Sequence, residues 1–425
     1  MRSALADRRS QSRHGGPITG LATGLVAVVL ALGLAGCSGN TSIAPPKATH
    51  DDSDLQSSQA GDTLTALVDA LQRGDSSAAR ALGSSGSGQL LSDAVENVAK
   101  LHLVDLSLRL VDDQPASDAD TAQYGPDAWQ GTVEVGYRLR DWDTGITKVS
   151  STFTFVPGDH NQRIAAIGTD VGRTPLWLTG PLRAIVVGRT LVIARSTKGP
   201  HYSRLAQRAI SDVDKVLPAW QGTLVIEAPS DEQELDQALG VTQEQYSNIA
   251  AVTASVDGSL TPGSPVHVFI NPRIFDTLGP RGSQVVISHE STHVATKAPF
   301  AVMPTWLLEG FADYVALAHA GIPVSTAASQ ILAEVRHTGA PTHLPTATDL
   351  APTANELGAT YEEAWLANRF ISRTYGEPKL VAFYYAVNDG SSADVAFRSV
   401  LGTTQAAFVR SWRADVLSLS RGMAG

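Results

Sequence analysis

Apolar positions recur at two different spacings along this 425-residue chain, and the changes of spacing divide it. Leu64, Leu67, Val68 and Leu71 fall three and four apart, one face of a helix, and Gly74 follows as a stop. A second helical stretch covers 89–100, after the Gly/Ser run 83–88, which reads as a turn. The period then drops to two. Val133, Val135, Tyr137 and Leu139 alternate with polar residues, as in a half-buried antiparallel strand. Phe153 and Phe155 continue the alternation on a second strand, beyond the turn Asp141-Trp142-Asp143-Thr144-Gly145. Helices followed by an antiparallel sheet predict one α+β accessory unit over 60–175. Asp112, Asp113, Asp118 and Asp120 read as a solvated acidic loop. No Asp-Gly loop with a bidentate Glu accompanies them, so a calcium site is not indicated.

A second unit is expected over 180–425. Ile185-Val186-Val187 and Leu191-Val192-Ile193-Ala194 bracket Gly188-Arg189-Thr190, a hairpin. A helix is predicted over 202–216, and strands at 224–226 and 266–270. From 283 onward the pattern is helical. Phe370, Ile371 and Tyr375 extend the apolar face begun by Trp365 and Leu366. Gly376 ends that helix and Pro378 begins another. Thr403 or Thr404 caps a last helix carrying Phe408, Trp412 and Val416. The small sheet with a helical C-terminal half makes this unit α+β as well.

The amino terminus carries a targeting pattern. Arg2, Arg8, Arg9 and Arg13 precede an uncharged, apolar or small run over 17–36 that ends Leu34-Ala35-Gly36-Cys37. This resembles a bacterial lipoprotein signal (1–37), in which the lipobox Cys is lipidated and becomes the mature N-terminus. Cys37 is the single Cys of the chain, so no internal disulfide or catalytic thiol is expected. The Ser/Asp/Pro-rich segment 38–59 reads as a flexible tether. These features imply a lipid-anchored protein on the extracytoplasmic face of the cell membrane. The chain has 32 basic and 42 acidic residues. Without 1–37, which hold four Arg and Asp7, 28 and 41 remain. Such acidity argues against nucleic acid as a partner.

Candidate chemistry concentrates at His289-Glu290-Ser291-Thr292-His293, an H-E-x-x-H sequence. On a helix the two His lie four apart on one face and can hold one zinc ion, with Glu290 beside a metal-activated water. Apolar flanks, Val285-Val286-Ile287 and Val294-Ala295, indicate a buried helix, where two His and a Glu need a compensating partner. A third ligand is expected from Thr305-Trp306-Leu307-Leu308-Glu309-Gly310-Phe311-Ala312-Asp313-Tyr314, with Pro304 in the first turn of that helix. Glu309 is placed to bind the metal. Asp313, one turn on, can accept from the outer nitrogen of a ligand His and fix its tautomer. His267 reads as a strand residue and not a ligand.

H-E-x-x-H followed by W-L-x-E-G-x-A-D-Y resembles the gluzincin metallopeptidases, specifically the peptidase MA-like domains related to thermolysin. The motif-bearing match covers about 283–314, and the layout fits from about 180 onward. The resemblance implies one zinc per chain on His289, His293 and Glu309, Glu290 as general base, Asp313 supporting a ligand His, and a peptide or protein substrate aligned on an edge strand. The link from His293 to Glu309 is short for that group, so its loop must be tight. Pro299 stands where a metzincin would have its third His. Gluzincins also supply a His or Tyr to the developing oxyanion; Tyr361, His343 and His337 are the candidates, with Tyr361 on a stretch resembling the helix after the zinc site. The accessory unit has the cone pattern of folds such as the NTF2-like one. Two other readings compete: a binding or assembly lipoprotein with a structural or vestigial zinc site, and a zinc hydrolase acting on another bond. An intact Glu290 argues against the first.

Overall fold

The computed structural model describes residues 52–242, 245–351 and 357–422. Cys37, the signal 1–37 and the tether as far as 51 lie outside the described residues. The class is α+β, as expected.

Three helices open the described chain: α1 (Asp52–Arg73), α2 (Ser76–Ala81) and α3 (Gly88–Leu101). Helix α1 begins inside the segment read as tether, so residues 52–59 are helical. The reason lies in its anchoring. Thr63 donates to the carbonyl of Gln162, and the Gln162 side chain donates to Gln59, tying this end of α1 to the sheet. Strand β1 (Leu103–Pro115), the short α4 (Asp118–Tyr124), and β2 (Trp129–Leu139), β3 (Thr147–Pro157) and β4 (Gln162–Gly172) complete an antiparallel sheet in the order β1-β2-β3-β4. Its register pairs Trp129 with Phe155 and Val133 with Ser151. The acidic loop expected around Asp112 is instead the end of β1 and the first turn of α4. Asp118 and Asp120 sit where a helix favours acidic groups, and Ser117 caps it.

A second sheet follows: β5 (Arg183–Val187), β6 (Thr190–Ala194), β7 (Leu224–Ala228), β8 (Ala251–Ser255) and β9 (Val266–Ile270), with α5 (Gly199–Val216) and α6 (Glu232–Leu239) between them and α7 (Pro272–Phe275) after the last. The order is β5-β6-β7-β9-β8, parallel at its centre and antiparallel at both margins. Gly188, at φ 57°, allows the two-residue turn of the β5–β6 hairpin.

The central strands of this sheet are buried on both faces, which is why they read as unbroken apolar runs. Leu191, Ile193, Val225 and Phe269 join the core formed by α1, α3 and the first sheet. Val192, Ala194, Leu224, Ile226, Val268 and Ile270 face the other way, onto Leu205, Ala206 and Ala209 of α5 and Ile287. One apolar core therefore spans both sheets.

The remainder is helical: α8 (Pro280–Thr296), α9 (Thr305–Ala318), α10 (Val324–Ala327), α11 (Ser329–Thr338), α12 (Leu357–Tyr375), α13 (Glu377–Asn388), α14 (Ala393–Ser399) and α15 (Gln405–Ser420). Thr404 caps α15, its side chain accepting from the Ala407 N–H. Pro304 is the residue just before α9, one position earlier than expected, because its extended backbone (ψ 129°) leads into the helix. Trp306, Leu307 and Phe311 of α9 pack with Trp365, Phe383, Phe397, Phe408 and Trp412 in the C-terminal core. At Gly310 α9 meets α12 so closely that a Cβ would lie 2.2 Å from the Ala364 carbonyl oxygen. Asn368 fixes the crossing by donating to the carbonyls of Trp306 and Ala364. Among the described residues no helix is long and apolar enough to cross a membrane.

Candidate metal centre

Helix α8 forms where Pro280 opens its first turn and Lys297, in the left-handed region at φ 55°, ends its last. A 3₁₀ turn over Ala298–Phe300 then reverses the chain into α9. This compact reversal answers the short link between His293 and Glu309. It sets α8 beside α9, with Ile287 of α8 held by the sheet and Leu307 and Phe311 of α9 held by the C-terminal helices.

That packing points the polar faces of the two helices at each other. His289 Nε2 and His293 Nε2 lie 3.0 Å apart. Glu309 Oε2 is 3.2 Å from the first and 3.4 Å from the second. Nitrogen and oxygen donors about 2.0–2.1 Å from a tetrahedral ion are separated from each other by about 3.3–3.4 Å. The three donors agree with that to within a few tenths of an ångström, and the group could hold a metal ion.

The outer nitrogen of His289 donates to Asp313 Oδ1 at 2.8 Å. An ionised carboxylate only accepts, so the proton of a neutral His289 sits on Nδ1 and the Nε2 lone pair faces the other two donors. His293 differs: its Nδ1 is buried and has no hydrogen-bond partner among the described residues. The ring of His289 is therefore held by a neighbour, whereas that of His293 is held by packing.

Glu290 is 7% exposed and lies beside this triangle. Thr253 on β8 donates to its Oε2 at 2.7 Å and to its backbone carbonyl at 3.0 Å. Burial raises the Glu290 pKa above the ordinary carboxylate value, and His289, His293 and Thr253 offset this only in part. Burial works the same way on Glu309 but loses to the His293 and His289 imidazoles, which hold its carboxyl well below the usual range. For His289, burial would lower the pKa. Asp313, Glu309 and Glu290 outweigh it and raise the pKa well above normal. Three carboxylates around two imidazoles thus make a centre that favours positive charge.

The triangle borders a cavity of about 350 Å³ lined by Ile249, Ala250, Ala251, Val285, Val286 and Leu357, together with His289, Glu290, Asp313 and Tyr361. Tyr361 sits in the first turns of α12, its ring 6.3 Å from that of His289. Its pKa is raised by burial and then by Glu309, Asp313 and Glu290, so it remains a neutral donor. The other two oxyanion candidates do not line this cavity. His343 lines a separate one, beside Glu334 and Glu363, and His337 is an exposed residue near the end of α11.

The sequence pattern brought together His289, Glu290, His293, Glu309, Asp313 and Tyr361. It missed β8 and with it Thr253. Ala251-Val252-Thr253-Ala254-Ser255 is short and only weakly apolar, and gave no strand signal. His267 lies outside this triangle, its ring nitrogens facing Glu227 at 2.7 Å and Asp143 at 3.0 Å. No family model matches the sequence, and no curated protein matches it.

Proposed function

We propose that this chain is a zinc-dependent peptidase, lipid-anchored through Cys37 to the extracytoplasmic face of a membrane and acting on peptide or protein substrates. The observation that carries this reading is the His289–His293–Glu309 triangle with a buried carboxylate, Glu290, at its side. A site that only tied helices together would have no use for Glu290 beside an open cavity. The donor set, two imidazoles and one carboxylate, is the kind that catalytic zinc uses while leaving a position free.

When bound, the ion supplies Lewis acidity, making water a stronger acid and polarising a carbonyl oxygen. The protein's own groups do the rest. Thr253 occupies Oε2 of Glu290 and leaves Oε1 to take a proton from the attacking water and pass it to the leaving amine. Burial, which raises the Glu290 pKa, makes its carboxylate a stronger base than an exposed one. Asp313 orients His289. Tyr361 can donate its hydroxyl proton to the carbonyl oxygen as negative charge grows there. Strand β8 is the margin of its sheet, and its first residue lines the cavity, so an extended peptide can pair with its free edge.

Glu290→Ala is expected to keep the metal and to lose about 10²–10⁴-fold in kcat against a peptide library, the usual weight of a general base. A retained kcat would remove Glu290 from the mechanism.

A further inference from the structure

Towards the amino end of α8 from the triad, α5, the first two turns of α8 and the end of α9 line a second cavity of about 470 Å³. Arg208 and Lys215 reach it from α5, Arg281 from α8 and His319 from the residue after α9. Asp212 is its one carboxylate. That carboxylate is already engaged, by Lys215 at 3.1 Å and by the Ser288 hydroxyl at 2.9 Å.

Among the described residues neither Arg208 nor Arg281 has a carboxylate partner, so the only negative charge in the cavity lining is that of Asp212. In a chain with ten more acidic than basic residues, this cavity is lined by three basic side chains and a histidine against one acid. Like charges gathered in a concave site repel unless something negative joins them, and a concave wall focuses their field. The guanidinium fork matches an oxyanion bidentately, so two forks with an imidazole in the same lining suit a doubly charged tetrahedral anion.

We infer that this cavity binds a phosphate group, as the free ion or as a small monoester. The occupant would sit against the helix that carries the metal triad, since Val285 lines both cavities and Ser288, bonded to Asp212, precedes His289. The inference does not depend on the peptidase reading.

The test is titration calorimetry of the chain starting after Cys37, at low ionic strength, with inorganic phosphate and with glycerol phosphate. Saturable binding at one site is expected. It should weaken at least tenfold in Arg208→Glu/Arg281→Glu and persist unchanged in His289→Ala. Both arginines are exposed, so the double variant should keep its circular dichroism and melting temperature. Tighter binding of the ester would mark an esterified ligand and tighter binding of the ion a free one; either supports the site if the arginine pair abolishes it. Binding lost in His289→Ala but kept in the arginine variant would place phosphate at the metal triad and overturn the inference. So would the absence of saturable binding to the wild type.

Discussion

Two histidine–carboxylate groups among the described residues differ in what surrounds their imidazoles. In one, His267 on β9 lies between Glu227 on β7 and Asp143 in the β2–β3 turn. A carboxylate on each ring nitrogen requires a proton on each, so the ring is an imidazolium with no lone pair to offer a metal. Burial opposes that charge, but Asp143 and Glu227 outweigh it and raise the pKa to about 9. The group is a closed ion cluster joining the first sheet to the second. In the other, Asp313 takes the outer nitrogen of His289, and the inner nitrogen faces both Glu309 and a second imidazole, His293, beside a cavity. A carboxylate at each ring nitrogen is thus common to both. The second imidazole, which makes three donors that one ion could share, and the open side are what separate a binding centre from a closed one.

The largest effect on stability should come from the closed cluster. His267→Ala leaves two carboxylates buried without their cation, and such a loss typically costs about 3–5 kcal/mol. Urea denaturation would measure it; a loss below about 1 kcal/mol would show that the cluster does not hold the sheets together. The pH dependence sharpens the same contrast. His267 has a folded pKa above its unfolded value of about 6.5, so its contribution is complete below that pH and is lost as pH rises through about 9. A decline on the order of 3 kcal/mol is expected across that window in the wild type and should vanish in His267→Ala. A wild-type decline that persists in the variant would assign the titration to another group.

The third effect belongs to the open centre. Asp313→Asn removes the charge that orients His289, and weakening of zinc binding by about 10–100-fold is expected. Competition with a chromophoric chelator would read it. Unchanged affinity would mean that packing alone holds the ring, as it does for His293.

The two groups were also unequally legible. The open centre is local: its His pair is four apart, Glu309 and Asp313 are four apart, and one short reversal joins them, so spacing on two helices was enough. The cluster on His267 draws its acids from 40 and 124 residues away, and nothing near His267 announces them. Thr253 escaped for the same reason: its partner Glu290 is 37 residues away and its strand is short and weakly apolar. Most helices and the central strands were readable from apolar periodicity. The start of α1 was not, because polar residues 52–59 are held by Gln59 and Thr63 reaching the sheet and not by an apolar face of their own.

The most direct test of the central claim is the zinc content of the purified chain starting after Cys37, compared across histidine variants. The account predicts about one zinc per chain in the wild type and in His267→Ala, and none in His289→Ala or His293→Ala. Absence of zinc from the wild type even after reconstitution, or its loss with His267 and not with His289, would contradict it.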